Sequence, residues 1–100
     1  MSDASISQLQ AELTAAQNKH VELKQEFFGI QRAMREKKAA LDRLKNTHDT
    51  SSNTNKYSKS LELEGAIAEL HQKDSSVREA MQETENSIIL LRYRIDSKKH

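Results

Sequence analysis

The sequence predicts an all-α protein in which two long helices form an antiparallel coiled-coil hairpin. Apolar residues recur at alternating spacings of three and four in each half of the chain, a stretch of small polar residues separates the halves, and proline is absent. This spacing keeps one narrow apolar stripe on each helix, which is the coiled-coil pattern. Charged residues make up 31% of the 100 residues and aromatic residues 4%, as is typical of long helices. We expect one helical-hairpin domain over residues 1–100, oligomerising into a helical bundle.

The first stripe predicts helix 1 over about residues 5–48. It runs through Ile6, Leu9, Leu13, Ala16, His20, Leu23, Phe27, Ile30, Met34, Lys37, Leu41, Leu44 and His48. Ten of these thirteen positions are apolar, so the stripe forms a nearly continuous seam. Ser5 followed by Gln8 has the spacing of a capping box, in which each side chain bonds the other residue's backbone amide. Helix 1 is therefore expected to begin just after Ser5.

The stripe stops in a segment of Asp, Thr, Ser and Asn, whose side chains compete with the helix by bonding to nearby backbone. This composition predicts a turn over about residues 49–56. A second stripe then predicts helix 2 over about residues 57–98. It runs through Ser60, Leu63, Ile67, Leu70, Asp74, Val77, Met81, Thr84, Ile88, Leu91 and Ile95.

The nearly equal lengths of the two stripes predict the register of the hairpin. A chain folded at Ser52 pairs seam residues whose numbers add to 104, so that Leu9 faces Ile95 and His20 faces Thr84. A polar layer such as His20 with Thr84 can specify register at some cost in stability, which is the interpretation we favour. The alternative is a pH-sensitive switch, because histidine titrates near neutral pH. Nothing acidic in the predicted layer supports that alternative.

A hinge is predicted where both helices weaken at one level. Asp74 interrupts the second stripe, is followed by Ser75 and Ser76, and faces Ile30 in the predicted register, directly beside Gly29. Glycine costs a helix about 1 kcal/mol relative to alanine, and serine and aspartate favour helix ends. We therefore expect the hairpin to kink near Gly29 and residues 74–76.

The apolar residues left outside the seams predict an interface. Val21 and Phe28 lie outside the stripe of helix 1, and Ile89, Leu90 and Tyr93 lie outside that of helix 2. Bulky side chains left exposed by a two-helix hairpin indicate further association. We expect these five residues to contact a second copy of the chain in a homo-oligomer, with a dimer expected, or to contact another protein.

The sequence contains no pattern typical of a catalytic, cofactor or metal site. There is no cysteine, neither of the two glycines belongs to a phosphate-binding loop, and no nucleophile motif occurs. The histidines have no metal-ligand spacing; they are His20, His48, His71 and His100. We therefore expect no enzymatic activity, no cofactor and no metal.

These observations favour a noncatalytic protein–protein interaction module that acts as an assembly factor, chaperone-like adaptor or scaffold. One alternative is a small regulator that binds nucleic acid, or a nucleic-acid machine, through basic helix faces. Those faces would be formed by Arg32, Arg35, Lys37 and Lys38, and by Arg92, Arg94, Lys98 and Lys99. The net charge of +1 does not itself demand a polyanionic partner. Another alternative is an accessory component of a virus or secretion apparatus.

The sequence predicts no membrane association. Its first residues lack a basic region followed by an apolar run, and no segment approaches the roughly 18 apolar residues of a membrane span. We expect a cytoplasmic location, with leaderless secretion or a virus-associated location as alternatives.

Overall fold

A computed structural model describes residues 5–46 and 53–99. It contains two α-helices, α1 (Ile6–Lys45) and α2 (Asn53–Lys99), packed against each other as a helical hairpin. The predicted all-α class and the hairpin are thereby confirmed. No helix within the described residues combines the length and the apolar character needed to cross a bilayer.

The capping box at the start of α1 is confirmed. The backbone amide of Ser5 donates a 3.1 Å hydrogen bond to Oε1 of Gln8, and the backbone amide of Gln8 donates one of 3.1 Å to Oγ of Ser5. The backbone amide of Leu9 then donates to the Ser5 carbonyl oxygen at 3.0 Å. The two side-chain bonds satisfy backbone amide groups that have no partner inside the helix, so α1 begins where the sequence predicts.

The start of α2 was predicted too late. The helix begins at Asn53, so residues 53–56 belong to it rather than to the predicted turn over 49–56. Asparagine, serine and threonine are favoured both in turns and at helix N-termini. Their presence therefore indicates the region in which a helix starts, but it does not identify the first helical residue. The remaining predicted turn residues, 49–52, lie outside the described residues, as does His48. At the other ends, α1 stops at Lys45 and α2 continues to Lys99.

The chain divides into two compact units. Unit 1 combines the chain up to Glu26 with the chain from Val77 onward, and unit 2 comprises Phe27–Ser76. Each unit therefore contains one stretch of α1 and one stretch of α2.

The core of unit 1 lies on the predicted seam. Its buried side chains are Leu9, Leu23, Val77 and Ile95, and Leu9 is the most enclosed at 2% exposure. Every other predicted seam position in this unit is partly buried. Burying an aliphatic side chain of this size contributes about 1.5–3 kcal/mol, so each of these four residues contributes substantially to the stability of unit 1.

The core of unit 2 is less completely covered. Ile30 and Met34 are buried, whereas the other predicted seam positions of this unit that lie within the described residues are, with one exception, only partly buried. Lys37 is the exception, because it occupies a seam position and is exposed. A lysine stem can follow apolar surface while its ammonium group stays in water, which explains how the position is tolerated.

The predicted hinge residues lie in unbroken helix. α1 is helical through Gly29, and α2 is helical through Asp74, Ser75 and Ser76. All four belong to unit 2, close to where the division between the units falls. A hinge at these residues stays a prediction.

Candidate functional site

The candidate site is a cluster of three neighbouring residues of α2 whose apolar side chains are exposed. Ile89, Leu90 and Tyr93 are 64%, 56% and 70% exposed, although the seam residues Ile88 and Leu91 among them are partly buried. Residues four apart lie one above the other on a helix, so Ile89 and Tyr93 share a face, with Leu90 beside them. We call Ile89, Leu90 and Tyr93 the outer cluster of unit 1.

The other two predicted interface residues lie on α1. Val21, in unit 1, and Phe28, in unit 2, are both more than half exposed. Each directly follows a seam residue, which turns its side chain about 100° away from the seam. The ring of Phe28 packs edge-on against Phe27, with centroids 5.6 Å apart. All five predicted interface residues are therefore exposed, four in unit 1 and one in unit 2.

The sequence prediction missed two further exposed apolar residues. Tyr57 and Leu61 in unit 2 are 68% and 51% exposed. They are four residues apart on α2 and share a face, as Ile89 and Tyr93 do. The spacing of Tyr57 and Leu61 is evident in the sequence. Because the turn was predicted to extend to residue 56, Tyr57 was expected at the first position of helix 2 and was not considered as part of a helical face.

A polar contact crosses the seam of unit 1. Nε2 of His20 lies 3.1 Å from Oε1 of Glu85. The predicted partner, Thr84, instead uses its hydroxyl to donate a 2.7 Å hydrogen bond to the Ala80 carbonyl oxygen of its own helix. The predicted layer of His20 and Thr84 contains no acidic residue, but Glu85 reaches the imidazole from the helical position next to Thr84.

A second polar contact crosses the seam of unit 2. Nε2 of Gln31 donates a 2.7 Å hydrogen bond to Oδ1 of Asp74, and both residues are partly buried. A carboxylate placed in an apolar seam costs free energy unless it is hydrogen-bonded. The Gln31 amide supplies such a bond, which explains how Asp74 is accommodated in the stripe of α2.

Unit 2 also contains an open groove of about 490 Å³ between α1 and α2. Small and apolar side chains form its floor, and charged side chains form its rim. The floor consists of Ala40, Leu44, Leu63 and Ala66, and the rim consists of Lys37, Lys59 and Glu62. We call this feature the alanine groove. Its size falls in the range of about 300–1,000 Å³ typical of ligand pockets, but it is a groove between helices open to solvent.

Comparison with protein families, with curated proteins and with solved structures found no match to this chain. The described residues also contain no group of three or more His, Asp or Glu side chains arranged to hold a metal ion. The basic residues of the predicted nucleic-acid faces are all exposed, and Glu36 lies among those of unit 2. The exposed apolar residues and the groove are therefore the features on which a functional proposal can be built.

Proposed function

We propose that this chain is a noncatalytic protein–protein interaction module that acts as an assembly factor, chaperone-like adaptor or scaffold. The observation that carries the proposal is the outer cluster of unit 1, in which Ile89, Leu90 and Tyr93 expose more than half of their surface within five residues. The partner is a second copy of the chain or a different protein.

The exposed apolar residues of the outer cluster indicate an interaction site because they are adjacent to one another. Single exposed apolar side chains are common on protein surfaces, whereas contiguous apolar surface usually marks an interaction site. Tyrosine is favoured at interfaces because its ring adds apolar area and its hydroxyl remains able to bond. Val21 and Phe28 extend the set of exposed apolar residues to α1. Because these side chains point away from the seams, a partner can cover them without disturbing the hairpin.

The proposal is tested with the double variant Ile89→Glu with Tyr93→Glu. We expect it to keep the helicity of the wild type and to lose binding to the protein partners that the wild type captures. Gln82→Glu with Asn86→Glu is the matched control, because it adds the same charge to exposed positions of the same helix. Both variants should be measured by circular dichroism and by quantitative pull-down. Equal capture by the outer-cluster variant and the wild type would contradict the proposal.

Salt dependence separates this function from nucleic-acid binding through the basic faces. Phosphate contacts release counterions, so such binding falls steeply between about 50 and 200 mM salt, whereas apolar contacts persist. We expect capture of protein partners to change little over this range. A loss of about a hundredfold or more, together with binding to a random-sequence oligonucleotide, would favour the nucleic-acid alternative instead.

A further inference from the structure

We propose that the alanine groove of unit 2 is where a second copy of this chain docks side by side with the first, producing a four-helix bundle. The inference rests on the proposed protein-interaction function and assigns one partner to one surface. That surface is separate from the outer cluster, which belongs to unit 1.

The seam beside the groove is incompletely covered. Leu44 and Leu63 face the groove and are only partly buried, whereas Ile30 and Met34 in the same unit are buried. One hairpin therefore leaves part of its own core in contact with water. Burying additional apolar surface of these leucines against another helix is favourable by about 25 cal/mol per Å².

Two of the four residues on the groove floor are alanines. Ala40 on α1 and Ala66 on α2 are small and partly buried, so the surface between the helices is concave. Helices packed through small residues approach closely, with their axes separated by distances at the lower end of the usual range of about 8–10 Å. A second copy presents the same small side chains, so two grooves can meet without a clash.

The groove has charges of both signs on its rim. The rim carries two lysines and one glutamate, and within the described part of the chain Lys37, Lys59 and Glu62 form no ion pair. Two-fold symmetry brings the same rim to both sides of an interface. A rim of one sign would repel its own copy, but this rim can place Lys59 opposite Glu62 of the second copy and repeat that pair by symmetry. The pair of positions Lys59 and Glu62 is therefore complementary to the same pair on a second copy.

The experiment is a charge reversal measured by sedimentation equilibrium at about 50 mM salt, where exposed ion pairs are weakly screened. We expect the wild type to dimerise, and Lys59→Glu and Glu62→Lys each to raise the dimer Kd about tenfold, because each turns two attractive pairs into repulsive ones. The double variant Lys59→Glu with Glu62→Lys should restore the wild-type Kd. Both positions are exposed, so the hairpin fold does not depend on them.

A steric test uses neighbouring residues on α2. Ala66→Arg places a large side chain in the groove and is expected to give a monomer, whereas Ala68→Arg, on an exposed position two residues away, should leave the dimer intact. Circular dichroism checks that both variants remain helical. Glu64→Lys, also exposed and outside the groove, is the control for Glu62→Lys.

The outcomes separate the two proposals. A dimer that survives both Ala66→Arg and the charge reversals but dissociates in the Ile89→Glu with Tyr93→Glu variant overturns the groove inference and leaves the proposed function standing. A monomeric wild type also overturns the groove inference, and partner capture by the outer cluster then decides the proposed function separately. Loss of the dimer in the single charge variants with recovery in the double variant supports the inference.

Discussion

The side-chain amide of Gln31 donates a 2.7 Å hydrogen bond to Oδ1 of Asp74, and so joins α1 to α2 across a mostly apolar seam. His20 and Glu85 make the equivalent contact in unit 1, at 3.1 Å. In both pairs the residue numbers add to 105, one more than the predicted pairing of 104. In each of these two pairs, the seam residue, His20 or Asp74, contacts the residue that directly follows its predicted partner on the other helix. Long side chains that border the seam can reach across it, as flanking residues do in coiled coils.

Removing the Gln31 amide is expected to destabilise unit 2. Gln31→Ala takes away the hydrogen bond to a partly buried carboxylate, and the free energy of unfolding should fall by about 1–2 kcal/mol. Gln82→Ala is the control, because Gln82 donates a 3.2 Å hydrogen bond to Asn86 on an exposed face of its own helix, and it should cost about 0.5 kcal/mol or less. Urea unfolding at one fixed protein concentration measures both values. Equal losses in the two variants would contradict a special role for the Gln31–Asp74 bond.

Replacing His20 with an aliphatic residue is expected to stabilise the hairpin. His20→Leu exchanges a polar seam residue, mostly covered by its neighbours, for an apolar one, and buried polar groups replaced by apolar residues often raise stability. We expect a gain of about 1 kcal/mol in the free energy of unfolding. His71→Leu, on an exposed position, should change it by about 0.5 kcal/mol or less. A lower stability of His20→Leu would mean that the contact with Glu85 outweighs apolar packing in this layer.

Both glycines are expected to lower the free energy of unfolding relative to alanine at the same positions. Gly29 and Gly65 are helical, and a Cβ added at either would meet nothing within 4 Å. Alanine is favoured over glycine in a helix by about 1 kcal/mol, so each Gly→Ala variant should be more stable by about that amount in thermal or urea unfolding.

The same two variants test the predicted hinge. If the hairpin opens at Gly29, amide hydrogen exchange near Gly29 and Asp74 should slow more in Gly29→Ala than in Gly65→Ala. Equal slowing along the chain in both variants would argue against a hinge at this level.

Leucines of the seam are expected to stabilise the fold, whereas the leucine of the outer cluster is expected to contribute to partner binding. Leu9→Ala opens a cavity at the most enclosed position and should lower the free energy of unfolding by about 2–5 kcal/mol. Leu90→Ala removes an exposed side chain and should change it by about 0.5 kcal/mol or less, while weakening partner capture. Thermal unfolding and pull-down on the same preparations measure both effects. A large loss of stability in Leu90→Ala would place Leu90 in the core of an assembly of this chain.

How much could be predicted from the sequence depended on how local the interaction is. The bonds between Ser5 and Gln8 form within one helical turn, so spacing alone was sufficient to predict them. The start of α2 at Asn53 was missed because the same residue types favour turns and helix ends. Glu85 was missed as the partner of His20 because the prediction considered only the facing layer and not the residues that border it.

The sequence by itself determined the all-α class, the capped start of α1, the seam, and the exposure of Val21, Phe28 and the outer cluster. These properties follow from helical periodicity, because spacing fixes which side of a helix each residue occupies. Only the packing of the helices places Gln31 against Asp74 and His20 against Glu85, and leaves a groove at Ala40 and Ala66 whose rim charges form no ion pair with any described residue. Those features depend on the axial alignment of two helices to within one residue and on how far long side chains reach, and helical periodicity fixes neither.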